Sequence, residues 1–195
     1  GRALIGRFLS ALDGLPNVTC LRGTPLVELI TEDDRVVGAV VEHEGTPVRV
    51  LARRGVLLAS GGFEQNATMR AEYGVPGRAD DTMGGPGSTG DAHRAAMAVG
   101  ADVDLMDQAW WSPGLTHPDG RSAFALWFTG GIFVNQQGRR FVNESAPYDR
   151  LGRDVIRQLQ DGSTALPFWM VYDDRDGEVP PVQATNVSMV DAAQY

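Results

Sequence analysis

Apolar residues recur with a helical period at the start of the chain and in β-branched runs further on. The first set lies three or four positions apart, at Leu4, Ile5, Phe8, Leu9 and Leu12. This spacing predicts an amphipathic helix over residues 2–13. Four β-branched runs follow within residues 18–60, punctuated by polar pairs at 33–34 and 44–45. Runs of this kind predict hairpins in an antiparallel β-meander.

Two of the apolar runs lead to more specific predictions. Val18–Gly23 is predicted to be a strand, in which Cys20 is a small buried hydrophobe. Gly55–Ser60 is apolar almost throughout, which predicts a strand buried on both faces.

The rest of the pattern predicts further helices and strands. Strands are predicted near 131–135 and 168–173, and helices near 64–73, 89–100 and 152–160. Ser88 or Thr89 is expected to cap the second of these helices, because their hydroxyl groups accept bonds from free N–H groups. Gly100 is expected to end it.

Aromatic residues concentrate in the second half of the chain. All four Trp and five of the seven Phe lie beyond residue 108. This change in composition predicts a boundary between a domain at residues 1–108 and a second one at residues 109–195. The mixture of hairpins and helices predicts an α+β fold, with a meander, a buried strand and helices in the first part and a partial α+β domain in the second.

Charge and composition exclude several classes of partner. The formal net charge of −8 argues against nucleic acid or an anionic membrane, since both attract basic surfaces. No apolar stretch approaches the roughly 20 residues that span a bilayer. A single cysteine fits a reducing compartment. We therefore expect a cytoplasmic protein, either free or peripheral to the membrane. The three histidines lack the spacing of a metal site, so no metal is expected.

Two glycine-containing turns are candidates for ligand contact. The run Ala59–Gly62 ends an apolar segment with two residues that lack a Cβ, so its backbone can approach a dinucleotide. A plain strand-to-helix turn would have the same residues. Asp91 follows Gly90 at a predicted helix start, where it can accept bonds from a polyol or serve only as an acidic residue of the first turn. The chain contains no GxGxxG fingerprint.

Aromatic residues and one tyrosine mark a second candidate site. Trp110 and Trp111 form either a wall for a flat apolar ligand or ordinary core packing, and the same two interpretations apply to Phe124, Trp127 and Phe128. Tyr148 lies among arginines. A phenol is a weak base near neutrality, so it needs nearby positive charge to accept a proton. Candidates for that charge are Arg139, Arg150 and Arg153. The alternative is a strand end held by a pair between Glu144 and an arginine.

Three stretches, taken together, resemble a known family. They are "ARRGVLLASGGFEQN" at 52–66, "STGDAHRAAMAVGADVDLMDQAWW" at 88–111 and "GRRFVNESAPYDRLGRDV" at 138–155. In this order and spacing they resemble the flavoproteins related to fumarate reductase and succinate dehydrogenase. Within that family the chain is most similar to the bacterial 3-ketosteroid Δ1-dehydrogenases. The resemblance covers nearly the whole chain.

The resemblance implies an FAD-binding domain over residues 1–108 and part of a catalytic domain over residues 109–195. It implies that an N-terminal glycine fingerprint and a C-terminal return to the FAD domain belong to a larger parent, in which this chain is an internal piece. Carried over by position, the implied cofactor-binding residues are Val27, Ala59, Ser60, Gly61, Gly62 and Asp91. The family's glycine after the aspartate is Ala92 here.

The resemblance also implies a substrate class. The dicarboxylate branch of the family has an arginine directly after the glutamate of this region, and Ser145 stands there in this chain. Trp111 and Ser112 stand where that branch has a histidine. These differences favour a large neutral apolar substrate, a steroid, over a dianion. Tyr148 matches the tyrosine that takes a ring-A proton while the flavin accepts a hydride. Phe124 matches a pocket aromatic.

Three alternatives stay open. A Δ4-(5α)-ketosteroid dehydrogenase has the same fold, and a fumarate reductase-like enzyme acting on an organic acid is disfavoured by Ser145. From another class, the chain alone is a catalytically inert structural fragment or an interaction module. As a piece of a larger protein, it is expected to bind FAD poorly and to show no turnover by itself. The electron acceptor is not indicated by the sequence.

Overall fold

The computed structural model describes residues 2–82, 84–116, 122–124, 131–171, 182–184 and 189–190. They form two compact units, one made of Gly1–Ser60 with Asp91–Asp102 and the other of Gly61–Gly90 with Val103–Tyr195. Each unit combines helices with strands, and every strand pair is antiparallel. The predicted α+β class is confirmed. The domain boundary at residue 108 remains a prediction.

The first unit contains a three-stranded meander. Its elements are α1 (Arg2–Asp13), β1 (Leu26–Glu32), β2 (Arg35–His43), β3 (Thr46–Leu51) and α3 (Asp91–Ala98), with sheet order β1-β2-β3. Two-residue turns join the strands at Asp33-Asp34 and Glu44-Gly45, and all four residues have positive φ, from 48° to 74°. Turns with two positive φ angles match the twist of antiparallel strands. The predicted helix 2–13 and the predicted hairpins are confirmed.

The interior of this unit lies between the sheet and α3, which packs against β1. The buried apolar residues are Ile30, Ala39, Val40, Ala92 and Ala95. Alanines on the inner face of α3 let the helix approach the sheet closely, because they carry little side-chain volume. The apolar residues of α1 remain exposed, as Phe8 at 58% shows.

Two of the predicted strands are wrong. Val18–Gly23 forms no strand, and Cys20 is exposed rather than buried. Gly55–Ser60 also forms no strand, and the side chain of Leu57 is 90% exposed. A run of apolar residues becomes a strand only where another strand pairs with its backbone, and the described residues place none beside these two segments.

The glycine-rich region of the second unit carries the short helix α2 (Ala67–Glu72) and a 3₁₀ turn at Ala79–Asp81. Asn66 caps α2, because its Oδ1 accepts the Met69 N–H at 3.0 Å. In the first unit, α3 begins at Asp91, two residues after Thr89, and the capping of this helix by Ser88 or Thr89 stays a prediction. The helix ends before Gly100 (φ 86°), as predicted.

The larger part of the second unit consists of short strands around one long helix. The strands are β4 (Gly114–Thr116), β5 (Ser122–Phe124), β6 (Ile132–Val134), β7 (Trp169–Val171), β8 (Val182–Ala184) and β9 (Met189–Val190), and the helix is α4 (Tyr148–Gln160). The strand orders are β4-β5-β8-β9 and β6-β7. The predicted strands near 131–135 and 168–173 are confirmed, and the helix predicted near 152–160 begins a turn earlier.

The core of this unit lies between α4 and the β6–β7 pair. Phe133 of β6 and Leu151 of α4 are 3% and 5% exposed. The ring of Phe168 meets Phe133 and Phe141 edge-on, with both pairs of centroids 5.4 Å apart. Edge-on aromatic pairs add to the free energy gained by burying the rings. This contact fixes α4, and so the position of Tyr148 at its start.

A carboxylate links β6 to the turn before α4. Glu144 Oε1 accepts the Phe133 N–H at 2.6 Å, and its Oε2 accepts bonds from Arg140 at 2.5 and 2.9 Å. The predicted pair between Glu144 and an arginine is thus present. Burial alone would raise the pKa of Glu144, but the bonds from Arg140 and Phe133 outweigh it and hold that pKa below its ordinary value.

The Glu144 bonds predict a pH dependence of stability. A carboxyl whose pKa is lower in the folded state stabilises that state above its unfolded pKa, and the contribution is lost as the pH falls through the folded pKa. We expect the urea concentration at the unfolding midpoint to decrease as the pH is lowered from about 5 to about 3. Glu144→Gln should make this midpoint depend less on pH in that range. Arg140→Gln should reduce this dependence less, because the Phe133 bond remains. Identical profiles for the wild type and Glu144→Gln would refute the assignment.

Candidate functional site

The first turn of α4 presents an aromatic pair. Tyr148 is the first residue of the helix and is half-buried. The ring of Trp110 stacks on it, with the ring centroids 5.7 Å apart and an angle of 16° between the planes. Trp110 is 78% exposed, so most of its indole surface faces outward. The structure therefore brings together two of the predicted site residues, 38 positions apart in sequence.

Polar bonds hold the Trp110 segment to α4. Asp149 Oδ1 accepts the Trp111 N–H at 3.1 Å, and Asp149 Oδ2 accepts Arg153 Nε at 3.0 Å. Arg153 also donates to Gln108 Oε1 and, at 3.3 Å, to the Ala109 carbonyl. The bond from Arg153, more than that from Trp111, holds the pKa of Asp149 below its ordinary value. The site side of α4 thus carries an ionised carboxylate near neutral pH.

Gly152 allows the Trp111 backbone to lie directly against α4. A Cβ at this position would lie 2.6 Å from Trp111 Cβ, 3.0 Å from the Trp111 carbonyl carbon and 3.2 Å from Ser112 N. Two of these are backbone atoms, which cannot turn aside as a flexible side chain can. Any larger residue would push the segment away from the helix.

An open groove of about 470 Å³ lies beside the aromatic pair. Its lining comprises Leu105, Gln108, Ala109, Trp110, Asp149 and Arg153. Apolar surface therefore lies next to polar groups that already bond one another. The lining thus combines the exposed indole of Trp110 with the ion pair between Asp149 and Arg153.

Of the other predicted residues of this site, the structure describes Trp111 and the backbone of Phe124. Trp111 is half-buried and contributes its backbone N–H. Phe124 lies in β5, where its backbone is opposite Gly114 and Gln183, and its role as a pocket wall stays a prediction. Trp127 and Phe128 lie outside the described residues.

Sequence reasoning missed how the site is held together. The sequence predicts Arg153 as a source of positive charge for Tyr148, whereas its guanidinium bonds Asp149, Gln108 and Ala109. The bonds to Gln108 and Ala109 span 45 and 44 positions of sequence, so no local pattern reveals them. The available signal was the i, i+4 spacing of Asp149 and Arg153 on a predicted helix.

The predicted cofactor-binding residues fall in both units. In the first unit, Val27 lies in β1 and is 54% exposed, and Ala59 and Ser60 are exposed. Asp91 begins α3, and its Oδ1 accepts a bond from Arg94 at 2.5 Å.

In the second unit, Gly61 (φ 81°) and Gly62 form a turn against Gly90, whose N–H donates to the Gly62 carbonyl at 3.2 Å. A Cβ on Gly90 would lie 2.5 Å from Met69 Sδ and 2.7 Å from Phe63 Cβ. Only glycine therefore fits at the position immediately before Asp91.

Metal ligands and membrane-spanning helices are two further features by which a site or setting can be recognised. In the part of the chain that the structure describes, no three His, Cys, Asp or Glu side chains group together as metal ligands. Among those same residues, no helix has the length and apolar character that crossing a membrane requires.

Comparison with known proteins identifies the family. Residues 1–188 match the family described as "FAD binding domain", and the chain belongs to this family. A 3-oxosteroid 1-dehydrogenase of Mycobacterium tuberculosis is 38% identical over 188 residues, which are 90% of this chain and 33% of the relative. The chain thus spans about a third of the length of the curated relatives it matches.

Solved structures agree with this assignment. The 3-ketosteroid delta1-dehydrogenase of Sterolibacterium denitrificans, in complex with 1,4-androstadiene-3,17-dione, aligns with a TM-score of 0.71 and 38% identity over 78% of this chain and 29% of that one. The 3-ketosteroid-delta4-(5alpha)-dehydrogenase of Rhodococcus jostii RHA1, in complex with 4-androstene-3,17-dione, aligns with a TM-score of 0.51 and 32% identity over 70% and 26%.

The family's cofactor is FAD, and the residues present fit it. The Gly61–Gly62 turn is free of Cβ atoms and Gly61 is exposed, so a ligand can approach its backbone. Asp91 supplies a carboxylate at a helix start, a suitable acceptor for the hydroxyl groups of the cofactor. The assignment of these particular residues to FAD remains a proposal.

The tight packing at Gly152 predicts opposite effects of the same change at two helical positions. Gly152→Ala should destabilise the protein by about 1–3 kcal/mol, because the new methyl group overpacks the Trp111 backbone. Gly6→Ala in α1 is the matched control, since nothing lies within 4 Å of a Cβ there. It should stabilise by up to about 1 kcal/mol through helix propensity. Urea unfolding measures both, and equal effects of the two changes would contradict the packing argument.

Proposed function

We propose that this chain is part of an FAD-dependent dehydrogenase that desaturates ring A of 3-ketosteroids, at the C1–C2 bond. The observation that carries the proposal is the Tyr148–Trp110 stack at the start of α4, in a chain 38% identical to 3-oxosteroid 1-dehydrogenases. Residues 1–108 belong to the FAD-binding domain in this proposal, and residues 109–195 belong to the catalytic domain. The remaining two thirds of such an enzyme would complete both.

The chemistry divides between the cofactor and this chain. FAD, when bound, supplies the acceptor for the hydride that leaves one ring carbon. The phenolate oxygen of Tyr148 takes the proton from the neighbouring carbon and becomes the phenol, and the electrons of that C–H bond form the new double bond. A positioned base of this kind typically contributes about 10²–10⁴-fold to the rate. Val27, Ala59, Ser60, Gly61, Gly62 and Asp91 bind the cofactor.

The groove favours a large neutral substrate. Trp110 offers a flat apolar surface next to Tyr148, and a planar steroid ring packs well on such a face. Arg153 is the cation of the groove lining, and Asp149 already neutralises it at 3.0 Å. A dicarboxylate would need fixed cationic donors, and Ser145 supplies none where the acid-specific relatives have arginine. Trp111 and Phe124 are proposed to extend the apolar wall.

The proposed setting follows from charge and chemistry. A net charge of −8 suits a cytoplasmic enzyme, free or peripheral to the membrane, that acts on a small apolar molecule rather than on nucleic acid. Reoxidation of the flavin requires an electron acceptor supplied by another molecule.

A substrate panel tests the proposed reaction. Dye reduction by the FAD-loaded parent enzyme, extended beyond this chain at both ends, is followed with androst-4-ene-3,17-dione, with a saturated 5α-3-ketosteroid and with succinate. We expect turnover of the Δ4-steroid with a Δ1 product. Turnover of the saturated ketosteroid alone, with a Δ4 product, would support the alternative represented by the Rhodococcus relative. Activity on succinate alone would refute the steroid assignment. FAD retained after desalting shows whether the chain by itself is more than a structural piece.

The role of Tyr148 has its own test. Tyr148→Phe removes the proton acceptor and keeps the aromatic ring, so stacking on Trp110 is preserved. We expect kcat to fall by about 10²–10⁴-fold while KM for the steroid changes little. Tyr73→Phe is the matched control, because that ring packs on Phe63 at 5.8 Å in the glycine-rich region. An unchanged kcat in Tyr148→Phe would overturn the assignment.

A further inference from the structure

We propose that Arg153 is a positioning residue that fixes Trp110 against Tyr148 and thereby sets the substrate-facing aromatic surface. This inference rests on the proposed function for its catalytic consequence. Its structural part stands on geometry alone. Neither the family assignment nor the named relatives give Arg153 such a role.

The reason lies in what holds Trp110 in place. Its side chain is 78% exposed, so burial of apolar surface contributes little to fixing the ring. The ring stacks on Tyr148, with the centroids 5.7 Å apart. Its orientation must therefore come mainly from the backbone on either side of it.

Both sides of Trp110 are tied to the first turns of α4. On the N-terminal side, Arg153 donates to Gln108 Oε1 and to the Ala109 carbonyl at 3.3 Å. On the C-terminal side, the Trp111 N–H donates to Asp149 Oδ1 at 3.1 Å. Arg153 Nε bonds the other oxygen of the same carboxylate at 3.0 Å. One guanidinium thus holds the first side directly and orients the carboxylate that holds the second.

The guanidinium is suited to this task in a way that a lysine is not. Three of its nitrogens reach three acceptors in different directions, which requires a planar group with several N–H donors. An ammonium group would keep the charge near Asp149 but could not satisfy the same acceptors together. Removing the guanidinium removes the bonds to the Gln108 side chain and the Ala109 carbonyl, and Asp149 keeps its bond from the Trp111 N–H.

The test compares Arg153→Gln with Arg157→Gln in the FAD-loaded enzyme. Arg157 lies one turn further along α4, pairs with Asp154 at 2.8 Å and is 69% exposed. Both changes remove one guanidinium and one ion pair from the same helix. Only the first removes bonds to the Trp110 segment. Arg153→Lys is the milder variant that decides the matter if Arg153→Gln does not fold.

Two readouts are measured on each variant. Near-UV circular dichroism reports the fixed packing of aromatic rings, and Trp110→Phe identifies the part of the signal due to the stack. Steady-state kinetics with the Δ4-steroid give kcat and KM separately. We expect Arg153→Gln to lose the stack signal and to lower kcat/KM about tenfold, partly through a higher KM. The kcat/KM of Arg157→Gln should stay within about twofold of the wild-type value.

Each outcome decides the proposal. The proposal is supported if Arg153→Gln loses the circular dichroism signal of the stack and Arg157→Gln keeps it. Arg153→Lys should then keep part of that signal. Equal signals in the two glutamine variants would overturn it, because the bonds would then be merely structural. If wild type turns over no steroid but the signals still differ, positioning stands and the proposed function fails. If steroid turnover is present and Arg153→Gln matches Arg157→Gln in kinetics, the positioning role in catalysis is refuted.

Discussion

The second unit depends on the contact between α4 and the β6–β7 pair. Phe133 and Leu151 bury nearly all of their surface there, and the edge-on rings of Phe168 and Phe141 complete the contact. Because Leu151 fixes the rotation of α4 about its axis, a different side of its first turn is left to hold the Trp110 segment. The apolar side of α4 therefore stabilises the fold of the unit, and the polar side of the same helix orients the Trp110 segment.

Local chemistry explains which parts of the fold could be predicted from the sequence. The α1 period and the positive-φ turns at 33–34 and 44–45 are properties of neighbouring residues, so the helix and the meander were predicted correctly. Val18–Gly23 and Gly55–Ser60 have β-type composition, but pairing depends on a distant strand. The start of α4 was placed too late because its first turn is polar and shows no apolar period.

The candidate site was predictable in its parts and not in its assembly. Tyr148 and Trp110 are candidates by residue type alone. Their stacking joins positions 38 apart, so no local sequence pattern predicts it. Gly152 is a weak indication of a close contact, because glycine destabilises a helix and its presence there favours a packing role. That reason, the Trp111 backbone, is visible only in three dimensions. Composition and periodicity describe neighbouring residues, so they do not predict hydrogen bonds between residues far apart in sequence.

The extended segment Gly55–Ser60 has a consequence for the chain by itself. It combines consecutive apolar residues with a backbone that pairs with no strand among the described residues, and Leu57 stands 90% exposed. Such a segment is a template on which another copy can add as a β-strand, the first step of aggregation. Arg53 and Arg54 precede it directly and act as gatekeepers, since stacking copies would bring their like charges together. The tendency to aggregate, and its dependence on salt, is thus determined by the residues directly before the Gly61–Gly62 turn.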